Sequence, residues 1–350
     1  GNLSVSQFRR EQDDSGFFIQ EEVNFNDKFI GTAGIRADKS SNFGDANELF
    51  YFPKASLAVN LHNFDFWESS FINELKPRVA YGEAGNFAPF GALFTTLVGN
   101  AIDGFPGIGV PGTLGAPSID PERQKELEFG FDASFLNNRV NLQATYYEKK
   151  VDDLILEAQN EPSSGFPEKF SNAGNLRNRG IELTLNADVI RNNSFNWNTN
   201  VIFFKNTSEI TQLDVAPFNL GGFGTGLGTF RIEEGKSVTQ IAGNNEDGEI
   251  VKIGDAAPDF QMTFTNNFNY NNFNLSFLWH LKQGGDNINL TTLLTDLGGV
   301  SPDYDDFSLD PTNELNNGDF RINALNSGLP DPFVQDASYL RLREISLRYE

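Results

Sequence analysis

The sequence predicts an all-β fold, in which the chain forms an antiparallel segment of a transmembrane β-barrel with about a dozen strands. Three observations predict it: apolar and polar residues alternate with a period of two, short turns alternate with long connections, and aromatic residues supply much of the apolar content. Aromatic residues make up 13% of the 350 residues, including 34 Phe, although the hydrophobic fraction is 39%. A period of two places one face of a strand in an apolar medium and the other in water. Strands of about ten residues with this pattern are typical of a bilayer-spanning barrel with a wet interior.

The alternating segments come in pairs that are joined by short links rich in Asn. Asn favours such hairpin links because it tolerates a positive φ. In chain order the predicted pairs are 17–25 with 29–37, 52–61 with 75–81 through a turn at 63–66, 122–135 with 140–149, 181–189 with 195–203, and 260–270 with 273–282, followed by a last segment at 340–349.

The last segment contains a change of phase. Leu340 and Leu342 share one face, but Ile345 and the apolar residues after it have the opposite parity. A β-bulge inserts one residue into a strand and restores the phase. We therefore predict a bulge near Arg343 or Glu344.

Three long stretches rich in Gly, Pro, Asn and Asp separate the hairpins, at 82–121, 207–258 and 283–336. Loops of this length are rare in compact domains and are usually functional. The Gly-rich run at 221–228 lacks the lysine of a phosphate-binding loop and predicts a flexible loop. Short turns on one rim and long loops on the other are typical of outer-membrane barrels, which have periplasmic turns and extracellular loops. No composition break divides the chain, so residues 1–350 are predicted to be part of one barrel domain.

Composition excludes several function classes. With 26 Lys and Arg against 48 Asp and Glu, the formal charge of −22 argues against binding nucleic acid. The absence of Cys excludes disulfides and thiolate sites. The two His residues lie far apart, with no convergent nucleophile or ligand set, so no catalytic residue and no enzyme activity are predicted.

Several sequence words resemble the barrel of SusC/RagA-type TonB-dependent outer-membrane transporters of Bacteroidetes, and they occur in the family's order. The words are KFIGTAGIRADKSSNF at 28–43, FPKASLAVN at 52–60, LKPRVAYGEAGN at 75–86, DPERQKELEFGFDASFLNNRVNLQATYYEKKVDDLIL at 120–156, NAGNLRNRGIELTLNADV at 172–189 and DASYLRLREISLRY at 336–349. The long loops do not match.

This resemblance implies active import of bulky nutrients, either oligosaccharides or peptides. Import would pass through a barrel of 22 strands that spans the lipid of the outer membrane. Members of the family have an N-terminal plug that contacts the TonB complex and a SusD-like surface lipoprotein as a lid. The plug, the first strands and the last strands are expected to lie outside these 350 residues. Two alternatives stay open: a surface adhesin or carbohydrate-binding protein that does not transport, and a passive porin or assembly platform.

Candidate site residues fall into three groups. The polar faces of the predicted strands are expected to line a hydrated lumen, through Gln143, Thr145, Glu182, Thr184, Asn267, Ser276 and His280. Four aromatic residues in the long loops are candidates for contact with substrate or lid, or for packing of the loops against each other: Phe223, Phe230, Tyr304 and Phe307.

The third group is acidic. Asp303, Asp305, Asp306 and Asp310 offer several hard oxygen ligands in one loop, which is the chemistry that Ca²⁺ prefers. The spacing lacks the glycine and the terminal glutamate of the EF-hand loop, so a solvated acidic loop is the alternative. No other cofactor is predicted.

Overall fold

In the computed structural model, which describes residue 7 and residues 9–102, 105–110 and 112–350, the chain forms one eleven-stranded antiparallel sheet. The strands of this sheet are β1 (Asp14–Phe25), β2 (Phe29–Ser40), β3 (Phe50–Val59), β4 (Ile72–Asn86), β5 (Glu122–Phe135), β6 (Val140–Asp152), β7 (Gly174–Arg191), β8 (Phe195–Leu213), β9 (Phe260–Tyr270), β10 (Phe273–Gln283) and β11 (Tyr339–Tyr349). Each strand pairs with its neighbour in the sequence, which makes the sheet a simple meander. The all-β class and the strand count agree with the sequence prediction.

The strands extend further than the alternation predicts, mainly at the end that leads to the long loops. The bounds of β5 and β9 are as predicted, but β7 begins at Gly174 and β8 continues to Leu213. In these extensions the face that is apolar lower in the strand carries charged residues such as Arg179 and Lys205. The alternation of apolar and polar residues therefore ends where the apolar band ends, although the hydrogen-bonded pairing of the strands continues.

The short turns all lie at one rim. Asn26 and Asp27 adopt positive φ values between β1 and β2, and Asn137, Asn138 and Asn271 do so at two other turns. The link between β3 and β4 differs from the predicted tight turn at 63–66, because it contains a 3-10 helix at Leu61–Asn63 and reaches Ile72.

The predicted bulge in the last strand is confirmed. Leu278 pairs with Glu344 while the next residue, Trp279, pairs with Leu342, so Arg343 is the inserted residue.

The register gives the sheet two different faces. One row of directly paired residues contains Phe131, Ala144, Leu183, Phe203, Met262, Leu281 and Leu340. We call this side the aromatic face and the opposite side the polar face. Asn266 is a polar residue on the aromatic face, and its Oδ1 accepts a hydrogen bond of 2.9 Å from the Trp197 indole.

The long connections carry structure of their own. Two α-helices lie between β10 and β11: α1 (Leu290–Leu297) and α2 (Asn317–Asn326). Small sheets are formed by 218–222 with 229–232, 240–244 and 250–255, by 113–114 with 155–159 and 168–172, by 98–102 with 105–109, and by 286–288 with 334–336. Residues 221–228, predicted to be a flexible loop, contain the turn of a hairpin in which Gly222 pairs with Thr229, with positive φ values at Gly222, Gly224 and Gly228.

Buried apolar side chains cluster beside these connections. One cluster joins Ala88, Ala92, Leu93 and Ile119, and a second joins Ile210, Phe218 and Ile232. Apolar packing therefore occurs at the rim of the sheet and in the loops. No helix in the described part of the chain has the length and apolar character needed to cross a membrane.

Candidate functional site

The polar face brings together the side chains that the sequence assigned to a lumen. Thr145 pairs with Glu182, Gln143 with Thr184, and Asn267 with Ser276. A single row then runs from Thr184 through Ile202 and Thr263 to His280. All seven predicted residues consequently share one face of the sheet.

Arg78 lies across this face and connects three strands. Its Nη2 donates to Thr145 Oγ1 at 2.6 Å, and its Nε donates to Asp132 Oδ1 at 3.4 Å. The guanidinium lies over Gly130, where a Cβ atom would come within 2.9 Å of Arg78 Cζ. Because position 130 has no side chain, Arg78 on β4 can reach across β5 to Thr145 on β6.

Tyr147 repeats this arrangement further along the face. Its ring covers Gly180, where a Cβ atom would lie 2.3 Å from Tyr147 Cζ, and its hydroxyl donates to Asn206 Oδ1 at 3.0 Å. Long polar side chains thus lie flat on the sheet at glycine positions and leave the space above the polar face open.

His280 joins the last three strands through hydrogen bonds. Its Nε2 lies 3.1 Å from Gln261 Oε1, and its Nδ1 lies 3.2 Å from the Tyr339 hydroxyl. The Arg341 guanidinium stacks on the Tyr339 ring at 4.8 Å from its centroid. This corner of the polar face is cationic and rich in hydrogen-bonding groups.

A shallow cavity of about 380 Å³ lies over β3, β4 and β5. Lys54 and Ser56 line one side, Glu126 and Glu128 line the other, and Gly82 forms part of the floor. Its open shape and its charges of both signs suit a hydrated wall better than a tight small-molecule site.

The four candidate loop aromatics have different surroundings. Phe223 and Phe307 are 53% and 51% exposed. The Tyr304 ring packs on Gly318, and its hydroxyl donates to Asp319 Oδ1 at 3.0 Å. Phe230 is half-buried and pairs with Ile241. Contact with substrate or lid stays a prediction, for which Phe223 and Phe307 are the available side chains.

The four candidate calcium ligands do not converge. Both carboxylate oxygens of Asp303 accept hydrogen bonds from Arg321, at 2.9 and 3.0 Å. Asp310 accepts from the backbone N–H groups of Thr312, Glu314 and Leu315. In the part of the chain that the structure describes, no group of three or more acidic or His side chains is placed to hold a metal ion. Calcium binding thus stays a prediction without a preformed ligand set.

These carboxylates instead organise the loop between β10 and β11. Arg321 on α2 is 3% exposed and also binds Asp296 on α1 through two hydrogen bonds, at 2.6 and 2.8 Å. Hydrogen bonds from Arg321 lower the pKa of Asp303, and backbone hydrogen bonds lower the pKa of Asp310 to about 2. One buried arginine therefore ties both helices to the acidic segment.

Sequence reasoning missed Arg321 and Asp296. They lie far apart in the chain, and no local pattern marks either as buried. The starts of the two helices do have a sequence signal, because Asn is a preferred residue at a helix N-cap. Asn289 and Asn316 occupy these positions and accept hydrogen bonds from the backbone N–H groups of Thr292 and Asp319.

Known proteins resemble this chain both in sequence and in fold. Residues 1–246 match the family described as TonB dependent receptor-like, beta-barrel. TonB-dependent receptor P3 of Formosa agariphila is 27% identical over 99% of this chain, and receptor P26 of the same organism is 30% identical over 79%. TonB-dependent receptor SusC of Bacteroides thetaiotaomicron is 26% identical over 67% of the chain.

The fold matches a solved structure of the RagAB peptide transporter with a TM-score of 0.76 and 20% identity, over 97% of this chain and 41% of that one. The chain spans 39% of the length of receptor P3, 32% of receptor P26 and 23% of SusC. These relatives are named as TonB-dependent receptors or as a peptide transporter. Like other barrels of this family, the sheet resides in the outer membrane. The chain belongs to the TonB-dependent receptor β-barrel family and is similar to its SusC and RagA members.

Proposed function

We propose that the chain forms part of the barrel wall of an active importer that carries bulky nutrients, oligosaccharides or peptides, across the outer membrane. The observation that carries this proposal is the polar face, on which polar or charged side chains of β4 to β11 lie together in the sheet of a TonB-dependent receptor barrel. A large polar solute can pass along a hydrated wall, because polar side chains and bound water there replace the hydrogen bonds that the solute makes in bulk water. Gln143, Thr145, Glu182, Thr184, Asn267, Ser276 and His280 would face the lumen.

In the proposed mechanism the substrate is captured among the folded loops. A SusD-like lipoprotein encloses it from outside, and TonB acting on a plug in the remainder of the protein opens the way inward. The exposed rings of Phe223 and Phe307 suit the first step, since aromatic side chains stack on sugars and pack on partner surfaces. The relative RagAB is described as a peptide transporter, which supports peptides as one of the two substrate classes.

The test uses the native organism with the gene of the full-length receptor deleted or restored. Uptake of fluorescent oligosaccharides and peptides of graded size is measured with and without a protonophore. The proposal predicts uptake that requires the receptor and stops when the proton gradient is dissipated.

Two results would contradict the proposal and identify the alternatives. Receptor-dependent uptake that continues with the protonophore indicates a passive pore. Surface binding of the ligand with no receptor-dependent uptake indicates an adhesin or carbohydrate-binding protein.

A further inference from the structure

Towards the long-loop end of β5 to β8, charged residues replace apolar ones on the aromatic face. On β5 the apolar series ends at Leu127 and is followed by Lys125, and on β8 it ends at Phe203 and is followed by Lys205. The register pairs Lys125 with Lys150 and Lys150 with Arg177. Arg179 follows on the same face of β7, and Lys205 on β8 lies opposite Ile181, two residues further along that face. We call the following residues, five on the strands and one on the adjacent loop, the outer cationic surface: Lys125, Lys150, Arg177, Arg179, Lys205 and Lys236.

The height of this surface corresponds to the upper edge of a membrane. Lys205 stands ten residues above Phe195, the first residue of β8. With a rise of about 3.3 Å per residue and a strand tilt of about 40°, ten residues climb roughly 25 Å, which is the height of the apolar band of outer-membrane barrels. The cations are therefore placed where hydrocarbon gives way to lipid headgroups on the side of the long loops.

Glu148 lies deeper than the two cations that it binds, whereas Glu209 is more exposed than its partner Arg177, at 42% against 29%. Glu148 binds Lys150 at 3.3 Å and Arg179 at 2.6 Å, yet the glutamate side chain is 24% exposed while the lysine and arginine are 55% and 46% exposed. The carboxylate fixes the two cations and leaves them outermost. Although the whole chain carries a charge of −22, this surface presents positive charge outward.

A cavity of about 260 Å³ lies within the surface. Arg177, Arg179 and Lys236 line it together with the hydroxyl-bearing residues Thr207 and Ser237, and Glu209, which pairs with Arg177, is its one acidic residue. The loop that supplies Lys236 is anchored to β8, because the backbone N–H of Ile210 donates to the Lys236 carbonyl at 2.9 Å. Guanidinium groups, an ammonium group and hydroxyls in one concave site are a phosphate-binding set.

We propose that the outer cationic surface binds the phosphate groups of an anionic lipid in the outer leaflet, with one headgroup seated in this cavity. The proposal requires the aromatic face to meet lipid and does not depend on what the receptor transports. Apolar side chains directly below the cavity, such as Ile181 and Phe203, would contact the acyl chains of the same lipid.

The experiment measures lipid binding to the purified full-length receptor in detergent by native mass spectrometry. The probes are dioleoyl phosphatidic acid, dioleoylglycerol as the same lipid without phosphate, and inorganic phosphate. The test variant combines Lys205→Gln with Lys236→Gln, since neither side chain forms an ion pair within the described residues and no carboxylate loses its partner. The control combines Lys54→Gln with Lys76→Gln, which removes two cations from the polar face.

We expect the test variant to bind phosphatidic acid roughly thirtyfold more weakly, because it lacks two cations that each attract an anionic lipid. The control variant should bind as the unmodified receptor does, and dioleoylglycerol should bind weakly to both. The proposal is overturned if the test variant retains full affinity for phosphatidic acid or if the control loses as much. It is also overturned if inorganic phosphate binds with comparable affinity and the same dependence on Lys205 and Lys236, which would indicate a site for a soluble anion.

Discussion

Individual glycines on the polar face determine how its long side chains lie. Gly180 and Gly130 sit beneath Tyr147 and Arg78, each of which reaches a partner two strands away. A Cβ atom at either position would meet the covering side chain, whereas a Cβ at Gly82 on the same face would be 3.9 Å from its nearest neighbour. The same residue type therefore has a packing role at two positions and no such role at the third.

Gly180→Ala should lower the free energy of unfolding of the full-length receptor in detergent, measured by urea titration. The Tyr147 ring must move and lose its hydrogen bond to Asn206, which costs about 1–2 kcal/mol. The control Gly82→Ala should be neutral or slightly stabilising, since Ala restricts the unfolded chain. In a receptor that already carries Tyr147→Ala, Gly180→Ala should cost much less than it does beside the native tyrosine. Equal stability of the two Gly→Ala variants would contradict this role.

At the level of elements, β11 shows how a bulge keeps two halves of a strand in phase with one partner. Arg343 is inserted between Leu342, which pairs with Trp279, and Glu344, which pairs with Leu278. The apolar residues of both halves of the strand therefore stay on the aromatic face. Without the bulge, one half of the strand would present its apolar residues to the polar face.

Deletion of Arg343 should leave the receptor folded, because it produces a regular ladder in which Leu342 and Glu344 become neighbours with their present partners. Deletion of Ser346, which is also one residue in the same strand, should prevent assembly, because it moves Leu347 and Tyr349 to the polar face. Assembly is measured by heat-modifiable mobility of the membrane-extracted receptor in gels. If the receptor without Arg343 fails to assemble and the receptor without Ser346 assembles, the register described for β11 is wrong.

The elements also show what the sequence can and cannot predict. The bulge and the bounds of β5 and β9 are predictable, because a period of two is a local signal that each residue either obeys or breaks. The upper parts of β7 and β8 are not, since their outward face carries ions and the alternation disappears there. The loop helices are held by the pair of Arg321 with Asp296, and a contact between distant residues leaves no local signal.

For the whole molecule, the two faces of the sheet explain why a chain with a low hydrophobic fraction has so few buried apolar residues in its main sheet. Exposed Phe17, Ile19 and Phe129 lie on the aromatic face, while the buried clusters lie beside the loops. In a soluble protein such exposure would be a liability. In a membrane barrel this face meets lipid and the opposite face meets water, and the import function proposed above depends on that assignment.

Site-directed spin labelling tests this assignment most directly, and it is practicable because the 350 residues contain no Cys. Labels would be attached to Thr184→Cys and Ser276→Cys on the polar face and to the adjacent Leu185→Cys and Phe277→Cys on the aromatic face, in the full-length receptor in lipid bilayers. We predict that a water-soluble nickel complex relaxes the labels at 184 and 276, whereas oxygen dissolved in the bilayer relaxes those at 185 and 277. Labels at 185 and 277 that neither reagent reaches, with 184 and 276 in bulk water, would show a dry protein core and contradict the account.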